Sequence, residues 1–229
     1  MKITRRRRAV EANTEVLQPY MTGDAVDLKQ GEQEFSSKDT AVNGKQGNTP
    51  AVFKAVRDKI GWQSGTSNLD YGGGTEDADA VADTFFEPLG VTNVIYDKFN
   101  QTSEHNQAVI RFLRSQGGAD TATLSNVLNV IKEIHIRREV LEDVYSLLKP
   151  NGVLYAYVHE GSKADQEQGA RQTTKGWQNF RKTGDYLDEI HEVFPGAYVK
   201  YGILICPKSA GAAKTAASTD IQNDSLVFV

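Results

Sequence analysis

Apolar positions along the chain fall into two periods, short β-branched runs and longer stretches spaced as on a helix face. Val52, Phe53, Val56 and Ile60 have helical spacing behind Thr49 as N-cap and Pro50 as first helical residue. Gly61 to Ser67 leads into a first strand that breaks at Gly72-Gly73-Gly74. Ala78–Phe86 then has helical spacing, with Val81, Phe85 and Phe86 on one side and Pro88 and Gly90 as its stop. Val91–Tyr96 is a β-branched strand ending at Asp97. A polar loop, Lys98–Asn106, a short helix, Gln107–Arg114, and the breaker Gly117-Gly118 precede a strand over Ala119–Ser125.

The segment from Asn126 to Ile131 sits at the end of that strand. His135–Leu148 repeats Ile136, Val140, Val144 and Leu147 on one face, and Lys149-Pro150-Asn151-Gly152 makes a turn into a strand at Val153–Val158. Ser162–Lys175 is polar and is expected to be a mobile loop over the ligand edge, and Trp177–Val193 a helix. Ala197–Cys206 predicts one or two β segments around Gly202. Strands alternating with helices across short turns predict a right-handed, mostly parallel α/β sheet with helices on both faces.

The 229 residues are expected to form one domain at 49–206, between a polar N-terminal arm at 1–48 and a low-complexity tail at 207–229. The tail's last residues, Ser225–Val229, are apolar enough to add an edge strand or mediate assembly. A net charge of −4 removes the global basic field of a general nucleic-acid binder. Arg5-Arg6-Arg7-Arg8 reads as a short solvated arm, with phosphate contact as the alternative. The lone Cys206 precludes an internal disulfide. No apolar run approaches a membrane span, and Met1–Arg8 lacks the apolar segment of a signal peptide, so a soluble cytoplasmic protein with no membrane partner is expected.

The candidate chemistry centres on Asn68-Leu69-Asp70-Tyr71-Gly72-Gly73-Gly74-Thr75. A strand turning through glycine into a helix presents free amide N–H groups at the carboxyl edge of a sheet. Asp77 stands where a dinucleotide fingerprint needs its third glycine, and no Gly-Lys-Ser/Thr follows as in a P-loop. Asp70, Glu76 and Asp77 would repel a pyrophosphate and suit a cationic ligand carrying hydroxyls. A glycine-rich turn with no ligand is the plainer alternative. Asp97, ending the second strand more than 20 residues beyond the first glycines, stands where this fold class binds ribose hydroxyls. No His/Cys/carboxylate cluster has metal-ligand spacing, so no metal is expected.

Asp70-Tyr71-Gly72-x-Gly74, Tyr96-Asp97-x-Phe99, Leu124-Ser125-Asn126-Val127-Leu128-Asn129-Val130-Ile131 and Trp177-Gln178-Asn179-Phe180 occur in this order. The set resembles class I S-adenosylmethionine-dependent methyltransferases over roughly residues 40–206. More narrowly, it resembles the methyltransferase-like proteins associated with DNA phosphorothioation and their phage relatives. The resemblance implies a Rossmann-like fold and S-adenosylmethionine as cofactor. It places Asp70, Gly72, Gly73, Gly74, Asp97, Lys98 and Ser125 at the cofactor, with Asp120 or Thr121 toward its adenine. Glu76 departs from the small residue common in the family, and would crowd the methionine moiety or hold its ammonium.

Cys206 lacks the preceding Pro of a cytosine-C5 enzyme, and Ser125-Asn126-Val127-Leu128 lacks the Pro-Pro-aromatic of DNA amino-methyltransferases. O- or N-methyl transfer to a small molecule or nucleic acid is the remaining expectation. Asn126 would stand beside the reacting centre and His159, after the Val153–Val158 strand, is a candidate base, ahead of His105. The alternative from another class is a catalytically lapsed binding or assembly module. Acceptor and oligomeric state are open at this level.

Overall fold

The computed structural model describes residues 15–40 and 47–209. Arg5–Arg8 and all of the tail from residue 210 onward lie outside the described residues. The elements in chain order are α1 (Ala51–Lys59), β1 (Ser67–Tyr71), α2 (Glu76–Phe86), β2 (Thr92–Tyr96), α3 (Ser103–Ser115), β3 (Ala119–Ser125), α4 (Ile134–Leu147), β4 (Leu148–Tyr157), α5 (Lys163–Gln168), β5 (Arg171–Thr173), β6 (Gly176–Gln178), α6 (Leu187–His191), β7 (Tyr198–Lys200) and β8 (Ile203–Pro207). The main sheet has the order β2-β1-β3-β4-β8-β7. Its first four strands are mutually parallel, whereas β8 runs antiparallel to β4 and β7 antiparallel to β8. β5 and β6 form a separate hairpin.

Period-two alternation splits the strands between two cores. Leu69, Tyr71, Val94, Ala122, Leu124, Leu154 and Leu204 pack with α3 and α4 on one face. Ile95, Tyr155, Ile203 and Ile205 pack with α1 and α2 on the other. This is the doubly wound arrangement that the strand–helix alternation predicts. The chain goes from β1 outward to β2 and returns past β1 to β3, so the strand order reverses between β1 and β3. In open α/β sheets, that reversal opens a crevice at the carboxyl ends of the two strands.

On the α1/α2 face three strands share a buried polar ladder. Asn68 Nδ2 donates to Asn93 Oδ1 (2.7 Å) and Thr123 Oγ1 (3.1 Å), and Thr121 Oγ1 donates to Asn68 Oδ1 (2.9 Å). Thr123 Oγ1 in turn donates to Asp70 Oδ1 (2.8 Å). These bonds tie β1 to both of its neighbours and help fix the β2-β1-β3 register.

Several elements depart from the periodicity. The 149–152 turn loops out within β4, since Ala119 pairs with Leu148 and Thr121 with Val153. The supposed loop at 162–175 is folded. Ser162 and Asp165 form a capping box for α5, and Arg171 binds Asp165 and lies over the Phe180 ring. The expected helix at 177–193 is helical only from Leu187, after a 3-10 turn at Thr183–Tyr186. Trp177 instead lies in β6, stacked on Phe35 with centroids 5.4 Å apart. Here tertiary aromatic contacts override a coincidental helical spacing. Tyr201 and Gly202, both at positive φ (57° and 73°), make the two-residue turn between β7 and β8.

The largest departure is in the expected arm. Residues 26–40 form a strap across the carboxyl edge, and its irregular backbone is bonded to side chains of α3 and α4. Val26 exchanges two hydrogen bonds with the Gln107 amide. Asp143 accepts from the N–H groups of Lys29 (2.6 Å) and Gln30 (2.9 Å), and Glu139 from that of Gly31 (2.8 Å). Lys98 Nζ donates to the carbonyls of Gln30 and Gly31 at 2.9 and 2.7 Å.

One buried ion pair supports the same edge. Arg137 donates to both oxygens of Glu189 (2.6 and 2.8 Å) and, through Nη1, to the carbonyls of Ile131 and Lys132, at 2.8 Å each. Burial pushes the Glu189 carboxyl up, but hydrogen bonds from Arg137 and Arg181 outweigh it and hold the group below its usual range. Glu189→Ala leaves Arg137 buried without its anion and is expected to cost about 3 kcal/mol. Urea denaturation checks this, with a lower midpoint and an unchanged m-value.

Candidate functional site

β1 runs into the glycine turn at the reversal point, and Gly72 N–H continues the parallel ladder by donating to Tyr96 O at 2.7 Å. Gly72 and Gly74 have φ of +74° and +101°, where a side chain is strained. A Cβ on Gly72 would stand 2.6 Å from a Val127 methyl, and one on Gly73 would stand 2.5 Å from Asp70 Oδ2. The turn therefore lies close against both strands that flank the crevice, leaving its backbone as the cleft's floor. α2 starts at Glu76, whose side chain lies outside what is described.

Asp97 holds this turn from the end of β2. Its Oδ2 accepts from Gly74 N–H (2.9 Å), and its Oδ1 accepts from the N–H groups of Phe99 and Asn100 (2.9 Å each). Asn106 clamps the Asp97 peptide on both sides, accepting from its N–H and donating to its carbonyl. Burial raises the Asp97 carboxyl above its ordinary value despite these bonds. With about four lone-pair sites on a carboxylate, Oδ2 retains room for one further donor such as a hydroxyl.

Asp70 is more isolated. It is 2% exposed and has no ion pair among the described residues. Burial pushes its carboxyl up to about 7, the Thr123 hydrogen bond opposes this, and the charge of Asp97 adds to it. A cationic ligand group beside it would supply the missing counter-charge.

Asp70, Tyr71, Gly72, Gly73, Gly74, Asp97, Lys98, Phe99, Ser125, Asn126 and Val127 together line one cleft of about 970 Å3, counting the solvent at its mouth. Asn126 has positive φ (60°), and its Oδ1, like Ser125 Oγ, is buried without a hydrogen-bond partner among the described residues. A strained residue with an orphaned acceptor at a cleft is a functional candidate on physical grounds.

The structure separates other expected residues from this group. Asp120 and Thr121 begin β3 and so stand at the opposite, amino edge of the sheet. There Asp120 holds the Lys149 ammonium and Ser67 N–H (2.9 Å each), so neither residue is placed to reach an adenine in the cleft. His159 is exposed, faces the Phe180 ring and does not line the cleft. His105 Nε2 bonds Ile95 O at 2.8 Å on the outer edge of β2. Lys98 lines the cleft but its ammonium is engaged by the strap and Glu32.

The residues that sequence reasoning missed are Gln30, Gln33, Ser37 and Thr40 of the strap, which wall the cleft. A segment without hydrophobic period gives no signal for such a role. Among the described residues no group of three His, Cys, Asp or Glu could hold a metal, and no helix is long and apolar enough to cross a membrane.

No family model matches the chain, and no curated protein does. Solved structures do match. The pyocyanin biosynthetic protein PhzM is 12% identical over 69% of this chain and 54% of its own, with TM-score 0.46. Human N-acetylserotonin methyltransferase, in complex with SAM, is 17% identical over 73% and 52%, with TM-score 0.44. An O-methyltransferase family protein from Burkholderia thailandensis is 15% identical over 76% and 57%, with TM-score 0.42. The chain spans about half the length of these structures. At such identities and TM-scores the likenesses assign no cofactor and no residue role here.

The isolation of Asp70 has a measurable consequence. A carboxyl raised in the folded state binds a proton that the unfolded chain has already lost, so its contribution to stability is full below pH 4. It falls as pH rises through about 7. Relative to Asp70→Asn, the protein is expected to lose up to about 1.4 kcal/mol per pH unit across that window and nothing further above it. Denaturation midpoints of both proteins from pH 4 to 9 check this.

Proposed function

We propose that the chain is an S-adenosylmethionine-dependent methyltransferase acting on an oxygen or nitrogen of a nucleic acid or small molecule. The observation that carries this reading is the buried Asp70, without a cation among the described residues, beside a Cβ-free turn that Asp97 holds at the switch point. The arrangement fits a ligand with a positive amino end and a ribose. Gly72 and Gly74 let its backbone approach, Asp70 meets the ammonium, and Asp97 Oδ2 takes a ribose hydroxyl. When bound, the cofactor supplies an activated methyl on a sulfonium, so the protein has chiefly to orient the acceptor and exclude water.

Asn126 suits the orienting role. Its Oδ1, buried and unpaired among the described residues, would have to turn to the cleft to take the N–H or O–H of an acceptor, and it would do so without serving as a strong base. Among the described residues no histidine lines the cleft. The narrower resemblance to phosphorothioation-associated and phage proteins belongs to this reading and allows a nucleic-acid acceptor.

Calorimetric titration with S-adenosylmethionine and S-adenosylhomocysteine is expected to give micromolar binding. Asp97→Ala should weaken it about thirtyfold or more, a loss of about 2 kcal/mol. Affinity should fall below pH 7, where Asp70 takes up its proton, and Asp70→Asn should abolish that slope. No binding at millimolar ligand would sink the enzyme reading and leave a fold kept as a binding or assembly module.

A further inference from the structure

The strap also brings Gln30 to the wall of the cleft. Its side chain meets the Tyr71 hydroxyl, which lies 2.9 Å from Gln30 Oε1 and 3.1 Å from Asp143 Oδ2. A phenol has one proton to give. Asp143 already accepts from Lys29 and Gln30 N–H groups, and as an anion it is the stronger acceptor, so the Tyr71 proton belongs to it. The two ends of an amide have the same shape, and hydrogen bonding decides which is which. The end of Gln30 that faces Tyr71 must therefore donate, which makes it Nε2. The carbonyl end is left for the cleft.

The place of that carbonyl follows from the site's order. Asp97 spans from the glycine turn, through Oδ2, to Phe99 and Asn100, through Oδ1. A ligand lying with its amino end at Asp70 and its ribose at Asp97 brings its base to the Lys98–Asn100 end. Gln30 stands there, its backbone carbonyl accepting from Lys98 Nζ at 2.9 Å.

We propose that Gln30 is the residue by which this cleft selects a 6-aminopurine, its side-chain carbonyl accepting from the exocyclic amino group and rejecting a 6-oxo base. Tyr71 and Asp143 act as positioning residues that fix the amide's orientation. The proposal deepens the cofactor reading above and rests on it.

The test compares two cofactor-product analogues by calorimetry, S-adenosylhomocysteine and S-inosylhomocysteine, which carry an amino and an oxo group at the same ring carbon. The unmodified protein should favour the amino compound by about tenfold or more, as a site built to hydrogen-bond a ligand group does. Gln30→Leu should lose most of that preference by weakening the amino compound alone. Tyr71→Phe should reduce it in part, because the amide can then rotate. Equal affinities in the unmodified protein overturn the proposal without any variant, as does a preference that survives Gln30→Leu. Binding of neither analogue overturns the methyltransferase reading itself, whereas binding of both alike overturns only the role of Gln30.

Discussion

A carboxylate buried at the end of β1, with one threonine hydroxyl and no cation beside it among the described residues, sets the terms for the rest of the cleft. Taking an ionised group out of water without a partner is costly, and the group answers by holding its proton. The fold bears this where the glycine turn brings backbone rather than side chains against Asp70. An apolar residue there would pack better and bind nothing cationic. Under the cofactor reading proposed above, the cost falls on stability and the benefit on recognition, as expected where a site departs from what packing alone prefers.

The cleft's second dependence is on carboxylates that serve as anchors for backbone. Asp97 closes the glycine turn, and Asp143 with Glu139 holds the strap through consecutive N–H groups. Each does for irregular chain what a neighbouring strand does for a strand. The strap thereby becomes a wall of the cleft although it contains no regular strand or α-helix. Lys98 fastens it from below, which explains why a residue beside Asp97 is spent on backbone carbonyls rather than offered to a ligand.

Much of the scaffold is legible without coordinates, because β-branched runs and helical repeats report a two-sided sheet locally. Asp70, the glycines and Asp97 are legible too, since strand–glycine–helix punctuation marks the switch-point edge of such a sheet. Asp120 and Thr121 mislead for a simple reason. Both lie on the right strand but at its wrong end, and composition does not give direction of approach to a ligand. His159 misleads similarly, because following a strand at the carboxyl edge does not aim a side chain into the crevice. The 177–193 repeat reads as a helix, although Trp177 is held by Phe35, more than 140 residues away.

The sequence by itself determined the alternation of strands and helices, the mostly parallel character of the sheet and the chemistry concentrated at the glycine turn. These follow from short-range periodicity and from the special backbone freedom of glycine. Only the tertiary structure decided that, among the described residues, Asp70 lacks a counter-charge and Asn126 keeps an unpaired oxygen, and that Gln30 stands at the cleft. Each of those facts depends on what is absent from, or brought to, a neighbourhood by segments remote in the chain. Burial and hydrogen-bond accounting exist only once those segments meet.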